Sequence, residues 1–491
     1  MSIKIGKKDI LEFGTTRVGK LFVWTSYSAL LFAVFYILDF SPHQAGLLSL
    51  SLGLLILFPQ FKFEILSLGV LLYLYPPFVL FSQRSGIYQS FDQFHLNGTY
   101  WRMVFFFLTA LSGALLCMGF RWLISTFSPR SPLRKYAFFI ALVLFFAVVD
   151  LAPWQSLSQS TYAAFWMLVL GASLSLPMLG YDLEALDLKK PMTGFRRLTF
   201  YFPIWRLYFI VPPKGESYLR ETEAKSDFEL SAVRWSGLGL LFWATTILMF
   251  VIVCRQSLTE GLSGRPSFGY MPFQLHTPEV QSLLKLIAKG IHPSFGTAWL
   301  AVLTEFYIHF LYYVVLGHLT VSVIRIAGFK FFRNTYRPLE SNSVNEFFGR
   351  YNYYFKEALL HLFYFPVYFN FFKKFPRLRV AFAVFASVGV GNYFLHLIKD
   401  IELHRSLGPV PALQFSYPYM VYCLVLSAVL TISTLMESRR RPPRSRHWAL
   451  RSINLGWILV FYAVLRIFDN IHNGNIYANF SLFFELIGIR I

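Results

Sequence analysis

Asn345-Glu346-Phe347-Phe348-Gly349-Arg350-Tyr351-Asn352-Tyr353-Tyr354-Phe355-Lys356-Glu357-Ala358-Leu359-Leu360-His361-Leu362-Phe363-Tyr364-Phe365-Pro366 interleaves aromatic and polar residues and is too polar for a lipid-facing span. Glu346, Arg350, Asn352, Lys356, Glu357 and His361 place six polar groups within sixteen residues. An ionisable side chain at bilayer depth costs roughly 2.5–3.5 kcal/mol on insertion scales. Two placements satisfy the stretch from Ser343 to Phe372. Either its polar face lines a cavity inside a helix bundle, or it lies as an amphipathic helix on the cytoplasmic surface.

The rest of the chain decides that this stretch belongs to a membrane protein. Its 491 residues are 56% hydrophobic and 14% charged, with a mean hydropathy of +0.51. About eleven apolar runs stand out: Leu21–Leu38, Gly46–Pro59, Phe63–Phe81, Met103–Ile124, Tyr136–Leu151, Tyr162–Leu179, Leu238–Cys254, Thr297–Ile326, Val380–Ile398, Leu413–Met436 and Ile453–Ile467. A helix crosses the hydrocarbon core with about 20 residues. The second run is short, the eighth is long enough to tilt or break, and Ile476–Ile491 either returns to the membrane or lies on it. The expected fold is therefore an all-α polytopic membrane protein, with about eleven transmembrane helices plus re-entrant or interfacial ones. Residues 1–200 read as N-terminal transmembrane helices. Residues 201–491 read as a core with re-entrant segments and a central cavity.

The formal charge of +20 does not imply nucleic acid. Lys and Arg concentrate before the first run, at Arg130, Arg134 and Lys135, in Lys189–Lys225, at Lys330–Arg337, at Lys373–Arg379 and at Arg439–Arg446. With a cytoplasmic N-terminus, all of these fall on the cytoplasmic side. Intervening loops such as Ser41–Ala45 and Asp150–Ser160 are nearly neutral, which is the positive-inside pattern. It favours anionic lipid headgroups as contacts. No cleavable signal sequence is read, so the first run serves as an anchor. Tyr201–Val211, followed by the helix-breaking Pro212-Pro213-Lys214-Gly215, suits an interfacial or partly inserted helix. Residues 255–296 form the longest outer connection, with Pro, Gly and Ser around Gly261–Gly269 and a short amphipathic helix near Pro278–Lys289. Cys117, Cys254 and Cys423 fall within apolar runs and read as packing residues.

Several stretches then appear in an order that resembles the bacterial membrane-bound O-acyltransferases, in particular the alginate O-acetylases and D-alanyl transfer proteins. Tyr201-Phe202-Pro203 and Ile210-Val211-Pro212-Pro213 come first. Thr297-Ala298-Trp299-Leu300 opens a run ending Ala327-Gly328-Phe329-Lys330-Phe331, followed by Asn334 and Arg337-Pro338. Ser343 to Asn352 is similar, without a gap, to the family's Ser-Ile-Thr-Glu-Phe-Trp-Arg-Arg-Trp-His. Phe363-Tyr364-Phe365-Pro366 stands where the family has Leu-Tyr-Ile-Pro, and Gly389-Val390-Gly391-Asn392-Tyr393 where it has Gly-Leu-Trp-His-Gly. The resemblance covers about the last three-fifths of the chain.

What the resemblance implies is an acyltransferase of the bacterial cytoplasmic membrane, N-terminus cytoplasmic. It would move an acyl group, acetyl being one choice, from acyl-CoA or an acyl-carrier thioester to a hydroxyl of an extracytoplasmic glycan, polymer or lipid. Besides membrane lipids, the implied partners are that donor, that acceptor and other envelope proteins. No bound cofactor and no nucleic acid is implied. The departures fall on the chemistry. Asn392 replaces the family's catalytic histidine, Asn352 replaces the first one, and acidic positions become His309, Val315 and His361.

An amide cannot act as a base near neutral pH, whereas an imidazole titrates near pH ~6.5. His396 lies four residues beyond Asn392, on the same helix face with a rise of ~6 Å. It is either the base from a shifted position or a structural histidine near the span's end beside Lys399. The catalytic candidates are His396, which would take the proton, Asn352, which would orient the acceptor or donate to the developing oxyanion, and Asn392 at the position of the family's base. Arg350, Tyr351, Lys356, His361 and His309 are the substrate-binding candidates. Arg350, Lys356 and the cluster Lys373-Lys374-Arg377-Arg379 serve either coenzyme A phosphates and an acidic carrier, or merely the positive-inside bias. No metal site is read: His309 and His318 are nine apart, on different helix faces, and no carboxylate or thiolate joins His309, His318 and His361 at ligand spacing. Two other classes stay open. One is a degenerate member acting as a binding or assembly subunit. The other is a transporter, which predicts internal repeats that the chain lacks.

Overall fold

The computed structural model describes residues 7–37, 42–66, 99–129, 131–151, 156, 158–187, 194–201, 212–258, 277–437, 448–469 and 475–490. Most of the third run beyond residue 66, residues 202–211, the stretch Gly261–Gly269 and the basic run Arg439–Arg446 lie outside them. Among the described residues the chain is helical throughout, with no strand and one isolated bridge between Glu223 and Phe329. It is an all-α polytopic membrane protein. Eight helices are long and apolar enough to cross a membrane, or nine if the bent pair Ala45–Leu57 and Pro59–Leu66 counts as one.

Each departure from the eleven apolar runs has a local cause. The second run turns by 114° where Pro59 follows Phe58. The fifth forms Ala137–Leu151, 15 residues, about 22 Å against a hydrocarbon core of about 30 Å. The eighth continues unbroken as Phe295–Ile326, 32 residues, about 48 Å, so it tilts or projects. The tenth is cut at Ser416 into Pro409–Phe415 and Tyr417–Glu437. The final apolar stretch is a 10-residue helix, Ile476–Glu485; at about 15 Å it cannot span. Its Ala478 and Leu482 instead pack with Leu283 and Leu284 of the helix Val280–Ile287 and with Ala298 and Val302.

By their contacts the residues form two units. One comprises Met1–Thr245 with Leu316–Arg333, the other Thr246–Val315 with Asn334–Ile491. In the first, the helices Thr99–Ser125 and Gln159–Glu184 cross at glycines. A Cβ at Gly113 would lie 2.0 Å from the Gly171 backbone, so no larger residue permits the approach. The Arg234 guanidinium is buried there with no paired carboxylate among the described residues. It donates to the carbonyls of Leu55 (2.9 Å) and Ile326 (3.3 Å), the C-terminal ends of two helices whose dipoles favour a cation.

In the second unit Tyr417–Glu437 is the common wall. It packs against Val344–Tyr351, Phe385–Gly391, Asn392–Lys399, Arg466–Phe468 and Ile476–Glu485. All eight sequence-selected site residues belong to this unit.

Candidate active site

The polar stretch is two helices separated at Asn352. Ser343 caps the first, its Oγ accepting from the Glu346 N–H at 3.0 Å. Arg350 donates from Nε and Nη2 to Glu346 Oε1 at 2.9 and 2.7 Å, four residues apart as helix geometry requires. Burial raises the Glu346 carboxyl, but the Asn342 N–H and the Arg350 guanidinium outweigh it and hold the group below the usual carboxylate range. Asn352 leaves helical geometry at φ −135° and ψ 72°. The break is pinned by residues 334–336. Tyr353 and Tyr354 donate their N–H groups to the backbone and side-chain oxygens of Asn334, at 2.9 and 3.3 Å. Thr335 Oγ1 donates to the Tyr351 carbonyl at 2.8 Å, and the Tyr336 N–H to that of Arg350 at 2.8 Å. Asn334 is thus a bracket for the break.

Beyond it, residues 353–370 form a helix that widens into a π turn at Leu360–Tyr364, and Pro376–Lys399 widens likewise at Phe385–Gly391. The two π segments pack together, the Phe363 ring lying where a side chain at residue 391 would be. A Cβ on Gly391 would sit 2.5 Å from Phe363 Cγ. Such turns add one residue to the helix, rotate the turns C-terminal to it, and recur at functional sites. Asn392 and His396 occupy those rotated turns. Asn392 is 1% exposed and its Oδ1 has no partner among the described residues. His396 stacks on Tyr419, ring centroids 4.3 Å apart at 23°, and meets Tyr422 edge-on at 6.2 Å. Its Nδ1 is likewise buried without a partner.

The centre of the site is an ion pair that sequence reading passes over. Arg466 pairs through Nη1 with Asp469 Oδ2 and also donates to the Asp469 carbonyl at 3.2 Å. From Nη2 it donates to His309 Nε2 at 2.7 Å, while its Nε is buried and unpartnered among the described residues. Asp469 lies within electrostatic reach of Arg466, His396, Lys399 and His309. The Tyr351 phenol comes within electrostatic reach of Tyr313, Arg466 and Asp469, its ring stacked on Phe310 at 5.0 Å. The Arg466 and Asp469 side chains keep 18% and 19% of their surface accessible.

Of the sequence-selected residues, His309 bonds Arg466 directly, and Tyr351 and His396 lie within electrostatic reach of Arg466 and Asp469. Asn392 sits one turn before His396, and Asn352, with Oδ1 unpartnered, adjoins Tyr351. Arg350, Lys356 and His361 belong to other networks. Arg350 is held by Glu346 and reaches Glu340 at 3.8 Å. Lys356 pairs with Glu357 at 2.9 Å and lies over the Tyr353 ring. His361 Nε2 is 3.8 Å from Glu357 Oε2, its ring against Phe365. Lys373, Lys374 and Arg377 are exposed, and Arg379 lies over the Tyr368 ring at 3.8 Å. The signal for the missed pair was present in the sequence. Arg466 interrupts the last apolar run, and Asp469 comes at i+3.

No family model and no curated protein matches the chain. The functional reading rests on the residues themselves.

Proposed function

We propose that this chain is an O-acyltransferase embedded in the bacterial cytoplasmic membrane, its N-terminus cytoplasmic. It passes an acyl group from a cytoplasmic acyl-CoA or acyl-carrier thioester to a hydroxyl of an extracytoplasmic glycan, polymer or lipid. One observation carries this reading: a partly buried ion pair, Arg466–Asp469, bonds the His309 ring and lies within electrostatic reach of the His396 imidazole and the Tyr351 phenol. Here His396 Nδ1 and Arg466 Nε have no partner among the described residues, although an unmet buried polar group costs about 1–3 kcal/mol.

In this reading His396 accepts the acceptor's hydroxyl proton as oxygen attacks the thioester carbonyl. The oxyanion is met by hydrogen-bond donors, the C–S bond breaks, and His396 returns the proton to the departing thiolate. An ester and a free thiol result, with no enzyme nucleophile and no change of oxidation state. The Asp469 carboxylate offsets the positive imidazolium between the two proton movements. The sequence resemblance places the family's base at residue 392, and the one turn between Asn392 and His396 allows the base to sit further along here.

A second reading has its own observation. Asn392 stands, fully enclosed, where the family carries its base, which fits a member that has lost chemistry and acts as a binding or assembly subunit. The two separate in proteoliposomes given radiolabelled acetyl-CoA and a panel of neutral and acidic oligosaccharides, glycerol phosphate polymers and diacylglycerol. Acyl transfer by the wild type that falls by ~10²–10⁴ in His396→Ala, with the variant still folded, supports the first. Undiminished transfer by His396→Ala excludes His396 as the base. An inert wild type that gains transfer through Asn392→His establishes the second.

A further inference from the structure

His309 and His396 share one electrostatic neighbourhood, yet their ring nitrogens are committed differently. A guanidinium can only donate hydrogen bonds and stays charged at all working pH values. With Arg466 Nη2 2.7 Å from His309 Nε2, that nitrogen must present its lone pair. The neutral ring then carries its proton on Nδ1. The nitrogen that would take up another proton is already occupied by a cation's N–H, so His309 is unsuited to be a base. Its Nδ1–H is a donor, and no other described residue receives it. His396 has the opposite endowment. No described cation donates to it, its Nδ1 is unpartnered, and the Asp469 carboxylate is within electrostatic reach.

We infer that His309 is the oxyanion donor of the site: held in one tautomer by Arg466, it hydrogen-bonds through Nδ1–H to the thioester carbonyl oxygen while His396 takes the hydroxyl proton. This rests on the acyl-transfer reading and assigns the two histidines non-interchangeable roles. His309 keeps its proton throughout. The C–O ester bond forms, the C–S bond breaks, and the single proton travels from hydroxyl to His396 to sulfur. Arg466 strengthens the donor, because a hydrogen bond accepted at Nε2 polarises the ring toward giving one at Nδ1. Fixed before substrate arrives, such a donor acts on the charge that develops in the transition state more than on the ground-state carbonyl. One guanidinium thereby serves both rings, His309 directly and His396 through Asp469.

Two measurements on the full chain in proteoliposomes test this. The first is acetyl-CoA turnover with the best acceptor of the panel. His309→Ala should lower kcat by about 10²–10³, the cost of removing one oxyanion donor, with little change in the KM for acetyl-CoA. His309→Gln, whose amide can donate from a similar position, should recover part of the loss and shows that the alanine variant has not simply unfolded. The second uses solid-state nitrogen spectra of histidine-labelled protein, in which His309 should be protonated at Nδ1 and bare at Nε2. An alanine variant with wild-type kcat, or an Nε2–H tautomer at His309, overturns the assignment. A wild type inert toward every acceptor removes the acyl-transfer reading and this role with it, while the nitrogen spectrum still decides the Arg466–His309 arrangement.

Discussion

Replacing Asp469 by alanine isolates the ion pair on which both histidines depend. Two unit charges at about 4 Å and an effective dielectric near 20 attract by ~4 kcal/mol. Removing one member of a buried pair typically costs about 3–5 kcal/mol, because the other is left uncompensated. Two features of this site reduce that figure. Arg466 and Asp469 retain 18% and 19% of their side-chain surface, so water screens part of the interaction. Arg466 also keeps its bonds to the residue 469 carbonyl at 3.2 Å and to His309 Nε2 at 2.7 Å, neither of which the substitution removes. The expected loss for Asp469→Ala is therefore about 2–3 kcal/mol, at or just below the low end for buried pairs. The double variant Arg466→Met with Asp469→Leu removes both charges and fills the space with apolar atoms, so it should be less destabilised than Asp469→Ala alone. It should nonetheless be inactive. Unfolding of the purified proteins in mixed micelles, followed by tryptophan fluorescence against denaturing detergent, ranks the three. A double variant no more stable than Asp469→Ala, or an Asp469→Ala protein as stable as wild type, would refute the idea that Arg466 is a buried charge needing its partner.

Gly391→Ala places a methyl group 2.5 and 2.6 Å from Phe363 Cγ and Cδ2. It should destabilise the protein by about 1–3 kcal/mol as overpacking does, with Phe363→Leu in the same chain restoring part of it; thermal inactivation and turnover report both, and an unaltered single variant would mean the π segments are not in close contact. Glu346 gives a pH dependence with a defined sign. Its carboxyl is held below the ordinary value of 4.5 in the folded chain, so its contribution is fully present above that value. It is lost as pH falls through the lowered folded value. Hydrogen exchange over residues 344–351 should quicken as the pH drops below about 4.5, beyond the intrinsic trend, and the effect should vanish in Glu346→Gln; an equal pH response in that variant would assign the loosening to another group.

Hydropathy located the helices because burial in lipid depends on composition over many residues. Val380–Ile398 lies within the helix Pro376–Lys399, and Thr297–Ile326 coincides closely with Phe295–Ile326. The amphipathic segment near Pro278–Lys289 is the helix Val280–Ile287, with Val280, Leu283, Leu284 and Ile287 buried. What composition could not reveal is where a helix departs from regular winding. The break at Ser416 and the π turns at Leu360–Tyr364 and Phe385–Gly391 leave the apolar character of their runs unchanged. Arg466 was hidden for a different reason. A lone basic residue at the end of an apolar run has no partner within its own run except Asp469, and only the folded chain puts His309, 157 positions earlier, against its guanidinium.

Apart from His309, which lies within the unbroken helix Phe295–Ile326, the site's residues come from places where the helices are irregular. Tyr351 and Asn352 stand at a break, Asn392 and His396 come directly after a π turn, and Arg466 opens a short 3-10 turn that ends a span. Each irregularity interrupts the hydrogen-bond ladder that makes a helix tolerable in lipid, so it persists only where side chains or neighbouring helices supply compensation. At Asn352 that compensation is visible in the bond that Asn334 accepts from the Tyr354 N–H and the bond that Thr335 donates to the Tyr351 carbonyl. The π turn acts on bearing. One added residue rotates everything beyond it by about 100°, which directs Asn392 and His396 together while leaving them on one face. A regular helix through 385–391 would carry both away by that angle and separate His396 from Tyr419. The shift of a base from residue 392 to residue 396 is small by comparison, about 40° of bearing and ~6 Å of rise. It falls within what one helical turn can absorb without rebuilding the wall that holds Arg466 and Asp469.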